Sequence, residues 1–185
     1  MLQAARSSTI AFIAGFVGIA NAQDTGVEAP ANPGFITLLA DLDPRVDGDY
    51  VWDAAGGSAE SGDRVQAHSL HHRPMGPAPD QQLTTDSPNL GNIYVTQADL
   101  CVAARRVLAG AQLYVTECST STTQSWIASS DGRVHPADDT SLCVTIARGM
   151  PDGISLYNRD LTLEPCADYP LRLTAWSVPG GSIGI

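Results

Sequence analysis

Apolar and polar positions along this chain alternate in short runs, many rich in β-branched residues, and the runs are broken by turn-forming clusters. Almost nowhere do apolar residues recur at the spacing of an amphipathic helix, so the pattern predicts many short strands. The first third offers Phe35 to Leu39, Tyr50 to Asp53 and Arg64 to His68. The middle offers Ile93 to Val95, Leu100 to Ala103, Leu113 to Thr116 and Ser125 to Ala128. The last third offers Arg133 to His135, Leu142 to Ile146, Ser155 to Tyr157, Leu161 to Glu164 and Thr174 to Val178. Turns are expected at Asp47-Gly48, Gly56-Gly57, Ser61-Gly62-Asp63, Asn89-Leu90-Gly91, Asp131-Gly132 and Pro151-Asp152-Gly153.

The runs repeat in order. Leu100-Cys101-Val102 leads to Cys118 and then to Gln124-Ser125-Trp126. Leu142-Cys143-Val144 leads to Cys166 and then to Thr174-Ala175-Trp176. Val51-Trp52-Asp53 leads to Leu70 and then to Gln81-Gln82-Leu83, the same layout without cysteines or the closing tryptophan. A period of roughly 45 residues marks one supersecondary unit stacked on its own copies. About four strands per copy, three times, predict a closed all-β body with pseudo-threefold symmetry, because one copy alone cannot bury its apolar face. Trp126 and Trp176 then occupy equivalent core places. Leu83 fills the corresponding slot with less volume, which makes the first copy the loosest.

Residues 1–22 read as a secretory signal peptide. Arg6 supplies the charged start, Thr9 to Ala20 the apolar stretch, and Ala20-Asn21-Ala22 the small residues of a cleavage site. The apolar stretch is shorter than the roughly 20 residues a membrane-spanning helix needs. Residues 23–34 read as a flexible leader and 35–185 as one domain, with repeats at about 35–88, 89–130 and 131–179. The expected localisation is secreted, with cleavage after Ala22.

Four cysteines in an exported chain imply two disulfides, and sequence alone allows three pairings. The repeat selects Cys101 with Cys118 and Cys143 with Cys166. Each bridge closes a loop of roughly 15 to 25 residues, worth about 3 kcal/mol in the chain-entropy model. Val51 and Leu70 stand where the first copy would carry its own pair. The chain has no lysine and a formal net charge of -10, and losing Arg6 with the signal makes it one unit more negative. Such a surface repels phosphate backbones and anionic lipid, so nucleic acid is not an expected partner. Arg105-Arg106 is a small basic spot read as solvated. No metal or cofactor is expected. His68, His71 and His72 cluster in sequence, but on a strand running into a Pro-rich loop rather than on one helix face. No nucleophile elbow, phosphate loop or zinc-protease motif is present.

The recurring Cys strand, second Cys strand and closing Gln-x-Trp resemble the ricin B-type (R-type) β-trefoil lectins. Gln124-Ser125-Trp126 matches that closing motif outright, while Thr174-Ala175-Trp176 and Gln81-Gln82-Leu83 each differ at one residue. Trp52-Asp53-Ala54-Ala55-Gly56-Gly57 followed by Gly62-Asp63-Arg64-Val65-Gln66 looks like the family's opening repeat. The resemblance spans about Phe35 to Pro179. It implies a non-catalytic, carbohydrate-binding trefoil whose repeats can each hold one shallow sugar site. An aspartate and a polar residue grip ring hydroxyls, and an aromatic residue stacks on the C–H face.

Carried over position by position, the resemblance implies one galactose-type site in the first repeat. Asp53 is the aspartate, Gln66 a glutamine on the next strand, His68 the stacking ring and Asp80 the polar partner where the family has Asn. The second repeat has Ala103, Thr116 and Thr123 at the clamp positions, and the third has Thr145, Glu164 and Leu173. Neither retains a clamp. Expected partners are glycans or glycoconjugates. The other reading is a trefoil that has lost sugar recognition and binds protein instead, as a toxin-associated subunit, an inhibitor or a secreted effector.

Overall fold

The computed structural model describes residues 34–42, 49–70, 78–85, 91–147 and 157–179. The expected signal peptide and all of the leader except Gly34 lie outside the described residues. So do His71, His72 and the turns expected at Asp47-Gly48, Asn89-Leu90 and Pro151-Asp152-Gly153.

Twelve strands run through the described residues in three quartets. The first is β1 (Thr37–Leu38), β2 (Tyr50–Ala54), β3 (Val65–Ser69) and β4 (Leu83–Thr84). The second is β5 (Tyr94–Val95), β6 (Leu100–Ala104), β7 (Leu113–Glu117) and β8 (Trp126–Ala128). The third is β9 (Val134–Pro136), β10 (Leu142–Ile146), β11 (Asn158–Pro165) and β12 (Trp176–Ser177). The strand expected at Ser155 to Tyr157 lies, except for Tyr157 in a turn, outside the described residues, and two of the twelve differ clearly from the sequence expectation. β4 has no counterpart in the expectation, because two residues carry no periodicity. β11 is one long strand beginning at Asn158, where the polar triplet Asn158-Arg159-Asp160 hides the alternation. Pairing with β3 straightens that triplet, with Asn158 opposite His68, Arg159 opposite Ala67 and Asp160 opposite Gln66.

The middle two strands of every quartet form a hairpin in one shared register. Tyr50 faces Ser69, Leu100 faces Glu117 and Leu142 faces Pro165. The last strand of each quartet pairs with the first of the next, β4 with β5 and β8 with β9. β12 then returns to β1, with Leu38 opposite Trp176. The hairpins also touch in a ring through Arg64 with Tyr114, Gln112 with Thr162, and Asp160 with Gln66. Three equivalent units closed on one another are the strand arrangement of a β-trefoil. Among the described residues, no helix is long and apolar enough to cross a membrane.

The same backbone bond recurs in each unit. The N–H groups of Leu83, Trp126 and Trp176 donate to the carbonyls of Gly34, Gly91 and Gly132 at 3.0, 2.8 and 2.8 Å. Gly132 reaches its place with φ of +88°, and a Cβ there would lie 3.3 Å from the Trp176 carbonyl oxygen. The positive φ favours glycine, and an added Cβ would crowd its neighbours.

The core holds three indoles, but not the three slots alone. Trp126 and Trp176 are buried as expected, and each donates its Nε1–H at 3.0 Å, to the carbonyls of Val102 and Val144. Leu83 is also buried in its slot. The missing volume comes from Trp52, which sits on β2 where the other hairpins carry Val102 and Val144. Its ring packs edge-on against both partners, at 6.5 Å from Trp126 and 5.6 Å from Trp176 between centroids. The first unit is therefore filled from a neighbouring strand position. One cost remains, since the buried Nε1 of Trp52 has no hydrogen-bond partner.

Cys101 and Cys118 are joined across 17 residues of sequence. The expected Cys143–Cys166 bridge is not formed, and both residues are thiols. Their strands hold the register of the bonded pair, with Cys143 opposite Glu164 as Cys101 is opposite Thr116. The side chain of Cys166 contacts Cys143 without a bond to it and also faces His135, its Sγ 3.6 Å from Nδ1. Burial and contact with Cys143 push the Cys166 thiol up to about 12, and burial raises Cys143 as well. Both shifts disfavour the thiolate that disulfide exchange requires. Unreduced protein is expected to take up iodoacetamide at Cys143 and Cys166 only after denaturation. Mass measurement before and after guanidine treatment checks this, and the absence of any alkylation in denaturant would contradict it.

Candidate functional site

Strand alternation decides what the first hairpin offers to each side. Trp52, Ala54, Val65 and Ala67 point into the core, so Asp53, Gln66 and His68 share the opposite face. Asp53 and Gln66 are direct cross-strand partners, and the Gln66 Nε2 donates to the Asp53 Oδ1 at 2.9 Å. The Gln66 Oε1 in turn accepts from the Arg64 Nη2 at 3.0 Å, and the Arg64 Nη1 pairs with the Asp160 Oδ1 at 2.6 Å. This line of bonds fixes which way the Gln66 amide faces and leaves Asp53 its acceptor.

A 3-10 turn, Pro79–Gln81, packs over β2 and brings Asp80 and Gln81 to the same face. Proline at the first position suits the turn, since its missing N–H has no partner to lose there. Gln81 donates to the Ser69 carbonyl at 3.3 Å and also hydrogen-bonds Asp53. Its counterpart Gln124 donates to the Glu117 carbonyl at 2.9 Å and accepts from the Ser119 N–H at 2.7 Å. Ser69 and Glu117 occupy the same hairpin position. The recurrent glutamine thus ties the end of one strand to the start of the next, a structural job that the sequence motif did not reveal.

The four expected ligand residues, Asp53, Gln66, His68 and Asp80, come together. Asp53, Gln66 and Asp80 are 3%, 5% and 5% exposed, while His68 is half-buried, its Nδ1 2.8 Å from the Ser69 carbonyl oxygen. Burial pushes the Asp53 carboxyl up to about 6. The hydrogen bond from Gln66 opposes the rise, the nearby Asp80 charge adds to it, and His68 and Gln81 lower it slightly. The Asp80 Oδ1 is buried without a partner. The exposed Gly56-Gly57 turn borders this corner, and a Cβ on Gly57 would lie 3.9 Å from the Asp80 Oδ2. Oriented acceptors beside a ring are suited to gripping a hydroxyl-rich ligand.

The other hairpins lack this chemistry. The Asp53–Gln66 pair is replaced by Ala103 with Tyr114 and by Thr145 with Thr162. Tyr114 lies under the Arg105 guanidinium at 4.9 Å. A cavity of about 270 Å³ opens nearby, lined by Arg105, Arg106, Gln112 and Thr162 among others, and none of the first-hairpin site residues lines it.

Three solved structures share the architecture. The solution structure of the mdaA-1 domain matches with a TM-score of 0.59 at 16% identity, covering 81% of this chain and 93% of that domain. The earthworm lectin C-terminal domain, a mutant in complex with 6'-sialyllactose, matches with a TM-score of 0.54 at 15% identity, covering 69% of this chain and 88% of its own. The earthworm R-type lectin C-half in complex with GalNAc gives a TM-score of 0.52 at 14% identity, covering 78% and 97%. The fold is that of the R-type lectins. No protein-family model matches the chain, and no curated protein does. At such identities the likeness extends to the fold, so any function must be argued from the residues of the first hairpin.

One further cluster within this R-type fold was missed by sequence reasoning. The Ser129 hydroxyl lies against Asp131 and 3.1 Å from the His135 Nε2, while the His135 Nδ1 is 2.8 Å from the Leu142 carbonyl oxygen and faces Cys166. Serine, acid and histidine meet, but the acid holds the serine and not the histidine. The cysteine on the other side is a thiol pushed up to about 12. A nucleophile needs the reverse in both respects, so the cluster reads as a brace for the β8–β9 hairpin.

Proposed function

We propose that this protein is a secreted, non-catalytic lectin that binds one sugar through the first repeat. Asp53 and Asp80 accept from ring hydroxyls, Gln66 holds Asp53 in place, and the His68 ring packs against the C–H face. The observation that carries the reading is the Gln66–Asp53 hydrogen bond on a face where both other hairpins have lost the carboxylate. Residues 1–22 serve as the secretory signal, and the Cys101–Cys118 bridge suits an oxidising destination. A single shallow site binds at about millimolar strength, near 4 kcal/mol, so multivalent display supplies useful avidity.

The test is a glycan array, followed by titration of the hits with the protein lacking residues 1–22. Asp53→Ala is expected to weaken binding at least about tenfold, the loss of one charge-assisted hydrogen-bond pair. An array blank for galactose-type and all other glycans would reject the proposal. A second reading, a trefoil that binds protein, draws on the near-complete burial of Asp53, Gln66 and Asp80. A blank array together with a stable co-purifying protein would select it.

A further inference from the structure

We infer that the first-repeat site prefers a sugar bearing a free ammonium group, an amino sugar, over its neutral counterpart. The inference rests on the lectin reading above and narrows its ligand.

Two carboxylates, Asp53 and Asp80, meet on one buried face, each 5% exposed or less. They are close enough that the charge of Asp80 disfavours ionisation of Asp53. Asp53 is served by the amides of Gln66 and Gln81. Asp80 has no such service, and its Oδ1 is buried without a donor. An unmade hydrogen bond to a buried charged group is costly, so the site lacks a donor and a positive charge together. Among the described residues, the other charged groups near this face have partners of their own. The Arg64 guanidinium is committed to Asp160 and to the Gln66 carbonyl oxygen, and the His68 Nδ1 lies 2.8 Å from the Ser69 carbonyl oxygen.

A neutral pyranose brings hydroxyl donors, which satisfy the Asp80 oxygen but leave two adjacent carboxylates uncompensated. An ammonium brings up to three N–H donors and the missing charge. A carboxamide at position 80 would donate for itself and would need no cation. An ionised aspartate can only accept, and the Asp80 Oδ1 has no donor in the structure. The overall charge of -10 further draws cations toward the protein.

Galactosamine, galactose and N-acetylgalactosamine separate the possibilities, titrated at pH 7 and low salt against the protein lacking residues 1–22. Galactosamine is expected to bind about tenfold more tightly than galactose, the gap between charged and neutral hydrogen bonds. N-acetylation, which removes the charge, should abolish the gain. Half-molar salt should shrink the preference while leaving galactose binding unchanged. Asp80→Asn, verified as folded by its melting curve, should reduce the preference to about twofold or less, read as the ratio of the galactosamine and galactose affinities of that one variant. Equal binding of galactosamine and galactose by the native protein would overturn the inference and leave the lectin reading intact. Survival of the full preference in Asp80→Asn would also overturn it. Failure to bind any of the three sugars, with a blank glycan array, would remove both.

Discussion

Replacing Trp52 by alanine is expected to cost about 3–5 kcal/mol of folding stability, the range for emptying a buried aromatic site. The indole is fully buried and touches Trp126 and Trp176 edge-on, so its loss opens a hole where all three units meet. For a domain of this size the melting temperature should fall by roughly 10 °C or more. The phenylalanine series gives a sharper comparison. Trp52→Phe discards an Nε1–H with no partner, whereas Trp126→Phe strands the Val102 carbonyl that its Nε1–H now serves. Trp52→Phe should therefore be the milder by about 1 kcal/mol. Chemical denaturation of the three variants checks this. A cost below 1 kcal/mol for Trp52→Ala would mean that the third indole does not hold the core.

The second large effect concerns Asp53 and pH. Its carboxyl is raised in the fold, from 3.8 to about 6, chiefly by burial. The folded state thus favours the protonated form. The stabilising contribution of that proton is fully present below the unfolded value near pH 4 and is lost as pH rises through about 6. Above pH 7 the ionised, buried group costs about 3 kcal/mol relative to acid conditions. Asp53→Asn should remove this dependence and be more stable than the native chain at pH 7.5, by about 2 kcal/mol or more. The carboxamide keeps an acceptor for Gln66 and offers N–H donors to the partnerless Asp80 oxygen. Urea unfolding of both proteins at pH 5 and pH 7.5 measures the difference. Parallel pH profiles would show that Asp53 ionises in the fold as readily as in the unfolded chain.

Much of the architecture was legible because strands with one buried face advertise it. Leu100 to Ala103 and Leu142 to Ile146 read correctly to within a residue, and the Cys101–Cys118 bridge followed from the repeat. What failed to show was set by partners rather than by local pattern. Asn158 to Asp160 became strand through β3, and Leu83-Thr84 through β5. The motif resemblance hides the core role of Trp52, which its alignment with Val102 and Val144 marks. The site residues Asp53, Gln66, His68 and Asp80 were found through the family resemblance. The bonds of Gln66 and Gln81 to Asp53, and the unsatisfied oxygen of Asp80, required coordinates. The two unbonded thiols were not anticipated, since matched register alone does not join Cys143 to Cys166.

The return of β12 to β1 has a bearing on time as well as shape. Leu38 finds its partner Trp176 only when almost the whole described chain exists. During synthesis the β6–β7 hairpin can form early, but the barrel has a missing wall until the last strand emerges. Non-local closure of this kind makes folding slow compared with hairpin formation. Until then the pairing edge of β1 that β12 covers is open, and a chain cut short before Trp176 keeps that edge for good.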